Sequence, residues 1–261
     1  MGIGAITSYI DVAQLTLYVF FGFFFGLVLY LRREDKREGY PLDSNLGPNH
    51  PGVVGFPGVP KPKKFLLRTG EVVLSPNPNA GIEVVTNATR ADRSPGSPLN
   101  PIGNKLLSGV GPASFANRAD VPDGSFPDGT PRIVPLRADA LLGLSIYDAD
   151  PRGFRVVGTD GLVAGVVRDV WVDRSESQTR YLEITLAEEL GGHHVLAPTT
   201  MVDIRGKEGK IVVQALMAAQ FADVPKLRNP EVVTLLEEDM IMAYYGAGTL
   251  YAYPARMEPL I

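Results

Sequence analysis

The residues with the most chemical potential lie close together in sequence. Asp169, Asp173, Glu176, Arg180 and Glu183 are charges set in and around two stretches that are otherwise apolar. Carboxylates held near one another and partly withdrawn from water have pKa values raised toward neutrality, so they can both accept and release protons. The chemistry this set suits is therefore a proton path. On a strand, Asp169 and Asp173 share a face with Trp171 between them. The plainer reading of the same charges is a solvated outer face with a turn at 175–178.

Other chemistry has little to stand on. There is no phosphate-binding loop, no G-x-G-x-x-G after a strand, no G-x-S-x-G elbow and no H-E-x-x-H. Zero cysteines exclude disulfides, thiolate metal sites, iron–sulfur clusters and thiol nucleophiles. His50, His193 and His194 are the only imidazoles, and adjacent His193 and His194 on a predicted strand point to opposite faces. Glu237, Glu238 and Asp239 follow one another on a predicted helix, where consecutive side chains splay around the axis, so they read as a solvated face. Trp171 reads as a core or interface anchor. A formal net charge of -4 carries no signature of a nucleic-acid partner. No enzymatic activity, and no cofactor or metal bound by the chain itself, is expected.

The elements that must position these charges begin near Phe154. Strand signals run through GFRVVG, GLVAGVVRDVWVD, TRYLEITLAE, HHVLAP, TMVDIR and KIVVQAL, with turns at 159–161, 174–178 and 206–209. Leu182, Ile184 and Leu186 alternate with Tyr181, Glu183 and Thr185, which marks one core face and one outer face. This spacing predicts a small antiparallel barrel or sandwich. A helix follows over EVVTLLEEDMIMAYYGAG, with Pro230 in its first turn and Gly246 or Gly248 ending it.

Upstream, 40–64 and 94–135 are dense in proline and glycine, yet Phe56, Val59, Ile102, Leu106, Phe115 and Phe126 are dotted through them and Phe65 and Leu66 directly follow the first. Disordered linkers lack such anchors, so these stretches read as an ordered strap whose core something else supplies. Before them, residues 12–31 carry no charge and match the roughly 30 Å hydrocarbon core of a bilayer. With no basic residue ahead of the run and no small-x-small site after it, it reads as an uncleaved anchor. Arg32, Arg33, Lys36 and Arg37 follow the run, which puts the N-terminus outside, the bulk of the chain in the cytoplasm and these four side chains at the lipid interface. Gly22 and Gly26 either admit a second helix or face lipid.

The strings LRREDKREGYPL at 31–42, PKPKKF at 60–65, GVGPAS at 109–114, DVWVD at 169–173 and EVVTLLEED at 231–239, in this order, resemble the H subunit of purple-bacterial photosynthetic reaction centres over essentially the whole chain. The resemblance implies one transmembrane α-helix plus a mainly-β cytoplasmic domain, a small antiparallel PRC-type barrel with a C-terminal helix. It divides the chain into a periplasmic N-terminus (1–11), a membrane helix (12–31), a helix extension and Pro/Gly-rich strap (32–134) and the barrel with its helix (135–261). It further implies a non-pigment subunit that caps L and M subunits on the cytoplasmic side. Bacteriochlorophyll, bacteriopheophytin, quinones and non-haem iron sit in those partners, with membrane lipids and possible cytochrome and antenna neighbours around them. The family's proton route to the secondary quinone maps onto Asp173 and Glu176, with Arg180 nearby. Where some relatives carry surface histidines, 125–132 has none, and Asp123 or Asp128 is the available substitute. The rival readings are a membrane-tethered PRC-barrel adaptor and a membrane-anchored enzyme with an unfamiliar site.

Overall fold

The computed structural model describes residues 4, 6, 11–42, 52–77, 86–94, 96–124 and 129–256; Asp128, Phe126, His50 and most of 1–11 lie outside the described residues. The chain divides into two compact units, Met1–Ile82 with Asp92–Ser97, and Glu83–Ala91 with Pro98–Ile261.

In the first unit, helix α1 spans Val12–Glu34. It starts where the Asp11 carboxylate accepts a 2.7 Å hydrogen bond from the Gln14 N–H, satisfying one of the donors a helix start leaves open. None of its side chains is buried within the chain. The helix is long and apolar enough to cross a membrane. Phe20 stacks on Phe24 and Phe21 on Phe25, each one turn apart, with ring centres 6.1 and 6.3 Å apart. Beyond Glu34 the helix tightens into a single 3₁₀ turn, Asp35–Arg37. A hairpin follows, β1 (Lys63–Leu66) against β2 (Val72–Ser75).

The second unit opens with a short pair, β3 (Ala88–Arg90) and β4 (Leu99–Pro101), and then holds a seven-stranded sheet. In chain order its strands are β5 (Ile133–Pro135), β6 (Arg155–Val157), β7 (Val163–Asp173), β8 (Gln178–Leu186), β9 (His194–Pro198), β10 (Asp203–Arg205) and β11 (Lys210–Val212). The spatial order is β10-β11-β6-β7-β8-β9, with β5 paired to the far end of β7. All ladders are antiparallel except β6 with β11, which is parallel and departs from the fully antiparallel expectation. The eleven-residue β7 is the spine. Gly165 sits on it where β8 comes closest: a Cβ there would lie 2.2 Å from the Thr185 carbonyl oxygen.

Helix α2 spans Leu235–Tyr251 and begins four residues later than the sequence suggested. Its N-cap is Thr234, whose hydroxyl accepts the Glu237 N–H at 3.1 Å while the Glu237 carboxylate accepts the Thr234 N–H at 2.9 Å. This reciprocal cap outcompetes Pro230 as the start. Nor do the glycines end the helix. Gly248 lies inside it, against the turn that follows β11, where a Cβ would meet the Ala215 carbonyl oxygen at 2.2 Å. Ile241, Tyr244 and Tyr245 fill the same buried stripe, at the 3- and 4-residue spacing of one helix face.

Two further expectations change. Tyr181 and Glu183 are as buried as Leu182 and Ile184, because β8 is covered on both faces. Leu106 and Ala113, assigned to a strap that needs a foreign core, belong to the chain's own core beside α2. Phe56, Phe65, Leu66 and Ile102 from the same stretches are exposed.

Candidate functional site

Register places the acidic residues. β5 pairs with the last residues of β7, Ile133 opposite Asp173 and Pro135 opposite Trp171, while β8 sets Glu183 opposite Asp169. Irregularities in the β7–β8 ladder at 167–169 and 171–172 break simple alternation, so that 169–173 are all buried. The expectation of a solvated outer face fails here: Asp169, Asp173 and Glu183 are 4%, 0% and 3% exposed. Asp169 and Asp173 are also handled separately, each by a different arginine flanking β5.

Around Asp173, the Arg132 Nε donates at 2.7 Å to one carboxylate oxygen. The other oxygen accepts the N–H groups of Ser175 and Glu176 at 2.9 and 3.1 Å, closing the β7–β8 turn in which Ser177 takes a left-handed φ of 51°. Burial pushes the Asp173 carboxyl up, but Arg132 and the two backbone donors outweigh it and hold the carboxyl below the usual aspartate range. The direction is opposite to the rise expected for a proton carrier read from sequence. The same guanidinium donates through Nη2 to Glu176, whose side chain is half exposed, and lies 3.5 Å from Asp123. Arg132 thus gathers Asp123, Asp173 and Glu176 into one cluster that runs from solvent to a fully buried carboxylate.

Around Asp169, Arg137 donates to both Asp169 (3.0 Å) and Glu183, and its Nε donates to Glu231 at 3.1 Å. Glu183 also accepts from Arg168 at 2.8 Å and from the Trp171 indole N–H at 3.0 Å. Two buried carboxylates with this many charged donors form a satisfied structural network, which is what burial of charge requires.

Arg180 joins neither cluster. It lines a recess of about 270 Å³ with Arg118, Tyr181, Glu238, Asp239 and Met242. There Glu238 accepts a 2.7 Å hydrogen bond from the Tyr181 hydroxyl, and burial raises its carboxyl. Glu237 and Glu238 are buried, which corrects the reading of 237–239 as a solvated face: one caps α2 and the other meets Tyr181. Asp128 lies outside the described residues.

At the end of α1, Arg32 and Arg33 are exposed, but Lys36 and Arg37 are engaged within the chain. Lys36, 4% exposed, donates to the Val54 carbonyl at 2.5 Å, and Arg37 grips Glu34 with two hydrogen bonds of 2.8 and 2.9 Å.

Arg132 and Arg137 were the residues sequence reasoning passed over. Their signal was present: PRIVPLRAD is a short apolar strand flanked by two arginines, and carboxylates buried in a neighbouring strand need a cation within reach.

The geometry combines a helix long and apolar enough to cross a membrane with a seven-stranded sheet whose buried carboxylates are held by arginines. Residues 144–219 match the family model of the PRC-barrel domain. Residues 4–138 match that of the photosynthetic reaction centre H-chain, N-terminal region. The chain belongs to the reaction-centre H-chain family.

Proposed function

We propose that this chain caps the L and M subunits of a purple-bacterial reaction centre on the cytoplasmic side and carries protons toward the secondary quinone. In this reading α1 crosses the photosynthetic inner membrane with its N-terminus periplasmic, and Arg32 and Arg33 meet the cytoplasmic headgroups. The boundaries at 11, 31 and 134 are proposed as functional divisions, although the compact unit that holds the barrel also takes in Glu83–Ala91 and begins again at Pro98. The quinone, held by the partner chains, takes up two protons for every two electrons, and the cap lies between it and the cytoplasm.

The observation that carries the proposal is the Arg132 cluster. Glu176 faces solvent, Asp173 does not, and one guanidinium holds both. Glu176 is the member placed to exchange protons with water. Asp173, kept ionised, holds Arg132 and the turn N–H groups in place and offers an acceptor one step further in. Arg180 acts at a distance, through its charge beside Glu238.

The test is flash kinetics on reaction centres assembled with Glu176→Gln. The second electron transfer, strictly coupled to protonation, is expected to slow roughly tenfold or more, as general acid–base groups contribute, while the first stays nearly unchanged. Asp173→Asn is expected to slow the same step. Equal rates for wild type and both variants at all pH values would remove the proton path and leave the cap alone.

A further inference from the structure

The last strand of the sheet, β9, borders a recess of about 230 Å³ that the proton path does not use. Two left-handed glycines, Gly191 at φ 100° and Gly192 at φ 61°, turn the chain into this strand. A Cβ on Gly191 would sit 3.1 Å from the His193 Nδ1, so the missing side chain lets that ring lie against the turn. His193 and His194, as neighbours, start on opposite faces. Both nevertheless line the recess, because β9 has no strand on its outer side and the hollow reaches round its edge.

The polar groups around it are unspent. The His193 Nε2 is buried and has no hydrogen-bond partner among the described residues. His194 shares its Nδ1 with the Thr185 hydroxyl at 3.1 Å, which leaves its Nε2. The Leu186 N–H donates to the His193 carbonyl at 3.0 Å, which sets the odd-numbered residues of β9 toward β8. Leu196 therefore turns its N–H to the open edge, where it meets no acceptor among the described residues although the residue is buried. Lys226, exposed on the far wall, makes no ion pair among them either. Buried donors without a protein partner mark a place where a bound molecule completes them.

Charge decides which molecule. Burial and then the Arg168 charge hold the His194 imidazole below its usual range; Glu183, on the recess wall, pulls the other way but is outweighed by Arg168 and Arg137 together. Lys226 adds a further cation. Such surroundings repel a metal ion and attract an anion. Leu227 and Pro230 make the remaining wall apolar, and the volume lies below the roughly 300–1,000 Å³ of sites for larger ligands. We propose that this recess binds a small organic anion, a carboxylate with a short apolar tail, whose oxygens accept hydrogen bonds from His193, His194 and Lys226 and whose tail lies on Leu227 and Pro230. The site is separate from the Arg132 cluster and does not depend on the proton path.

The chain has only three histidines, so NMR of the full-length protein, labelled at histidine and held in an uncharged maltoside detergent, resolves both rings of the recess and keeps His50 as a control. On titration with butyrate the His193 and His194 ring signals are expected to move saturably in the millimolar range, as suits a ligand of so few atoms, while His50 stays in place. Butyramide, of the same shape without the charge, should leave both rings unmoved, and inorganic phosphate, which lacks the tail, should bind more weakly than butyrate. Lys226→Met, a change at an exposed position, should weaken butyrate roughly fivefold, the worth of a partly screened ion pair. The absence of a saturable shift with butyrate, an equal response to butyramide, phosphate binding tighter than butyrate, or a Lys226→Met chain that binds as tightly as wild type would each overturn the site.

Discussion

A carboxylate with no access to solvent stays charged only when its surroundings replace water, and Asp173 has three such replacements: Arg132 and the N–H groups of Ser175 and Glu176. Because its folded pKa lies below the ordinary aspartate value of about 3.9, the stabilisation it supplies is fully present above that value and is lost as pH falls through the lower folded value. Asp173→Asn removes the charge but keeps an acceptor for the turn. It should cost about 2 kcal/mol at pH 7, the worth of one charge-assisted hydrogen bond. In denaturant titrations the gap between wild type and variant should hold constant from pH 7 down to about pH 4 and close at lower pH; a gap that widens on acidification contradicts the pairing. The acidic half of this cluster was legible in the sequence, since DVWVD places two carboxylates in an apolar strand. Its basic half was not, because Arg132 lies 41 positions upstream and only the β5–β7 ladder makes the two neighbours. Arg180, four residues from Glu176, was grouped with it on proximity in sequence, yet the turn and bulge send it to the recess beside Glu238.

At the scale of elements, period-2 and period-3.6 patterns located β6 to β11 and α2 from residue types alone, and failed where tertiary cover or capping overrode them. β8 shows alternation yet is buried on both sides, so its polar residues are network members: Glu183 meets Arg137, Arg168 and Trp171, and Tyr181 meets Glu238. The ends of α2 were misplaced because Pro230 and Gly246 are strong general signals. The Thr234–Glu237 box is local and stronger, and Gly248 serves close approach to Ala215. Two substitutions separate these roles. Thr234→Ala should cost about 1 kcal/mol, as loss of a cap does. Gly248→Ala should gain helix propensity of up to about 1 kcal/mol if the position were only a helix terminator. With a backbone oxygen 2.2 Å from the new methyl, it should instead destabilise by about 1–3 kcal/mol, the usual cost of overpacking. Thermal melts of the two variants decide the matter, and a Gly248→Ala chain that melts above wild type contradicts the packing.

For the whole molecule, the question is how much chain the barrel needs. The core is centred on 133–252, but it reaches back to Leu106 and Ala113, and the unit that contains it also takes in Glu83–Ala91 and Pro98–Ile261. Composition grouped 98–134 with the strap because proline and glycine dominate it. Burial groups it with the barrel because a few apolar residues inside it carry the packing. A truncated chain of residues 86–261 keeps those contacts, whereas 135–261 loses Leu106, Ile133 and Val134, each buried and worth roughly 2 kcal/mol. It also loses Arg132, which leaves Asp173 as a buried charge without its countercharge, at about 3–5 kcal/mol. Those losses together match the whole stability of an ordinary domain, about 5–15 kcal/mol. The chain of residues 86–261 is therefore expected to melt cooperatively with the Trp171 emission of a buried indole, and the chain of residues 135–261 to be unfolded or aggregated. Should the shorter chain melt cooperatively at the same temperature, the upstream segment contributes nothing to the core, and its apolar residues are held by partner chains instead.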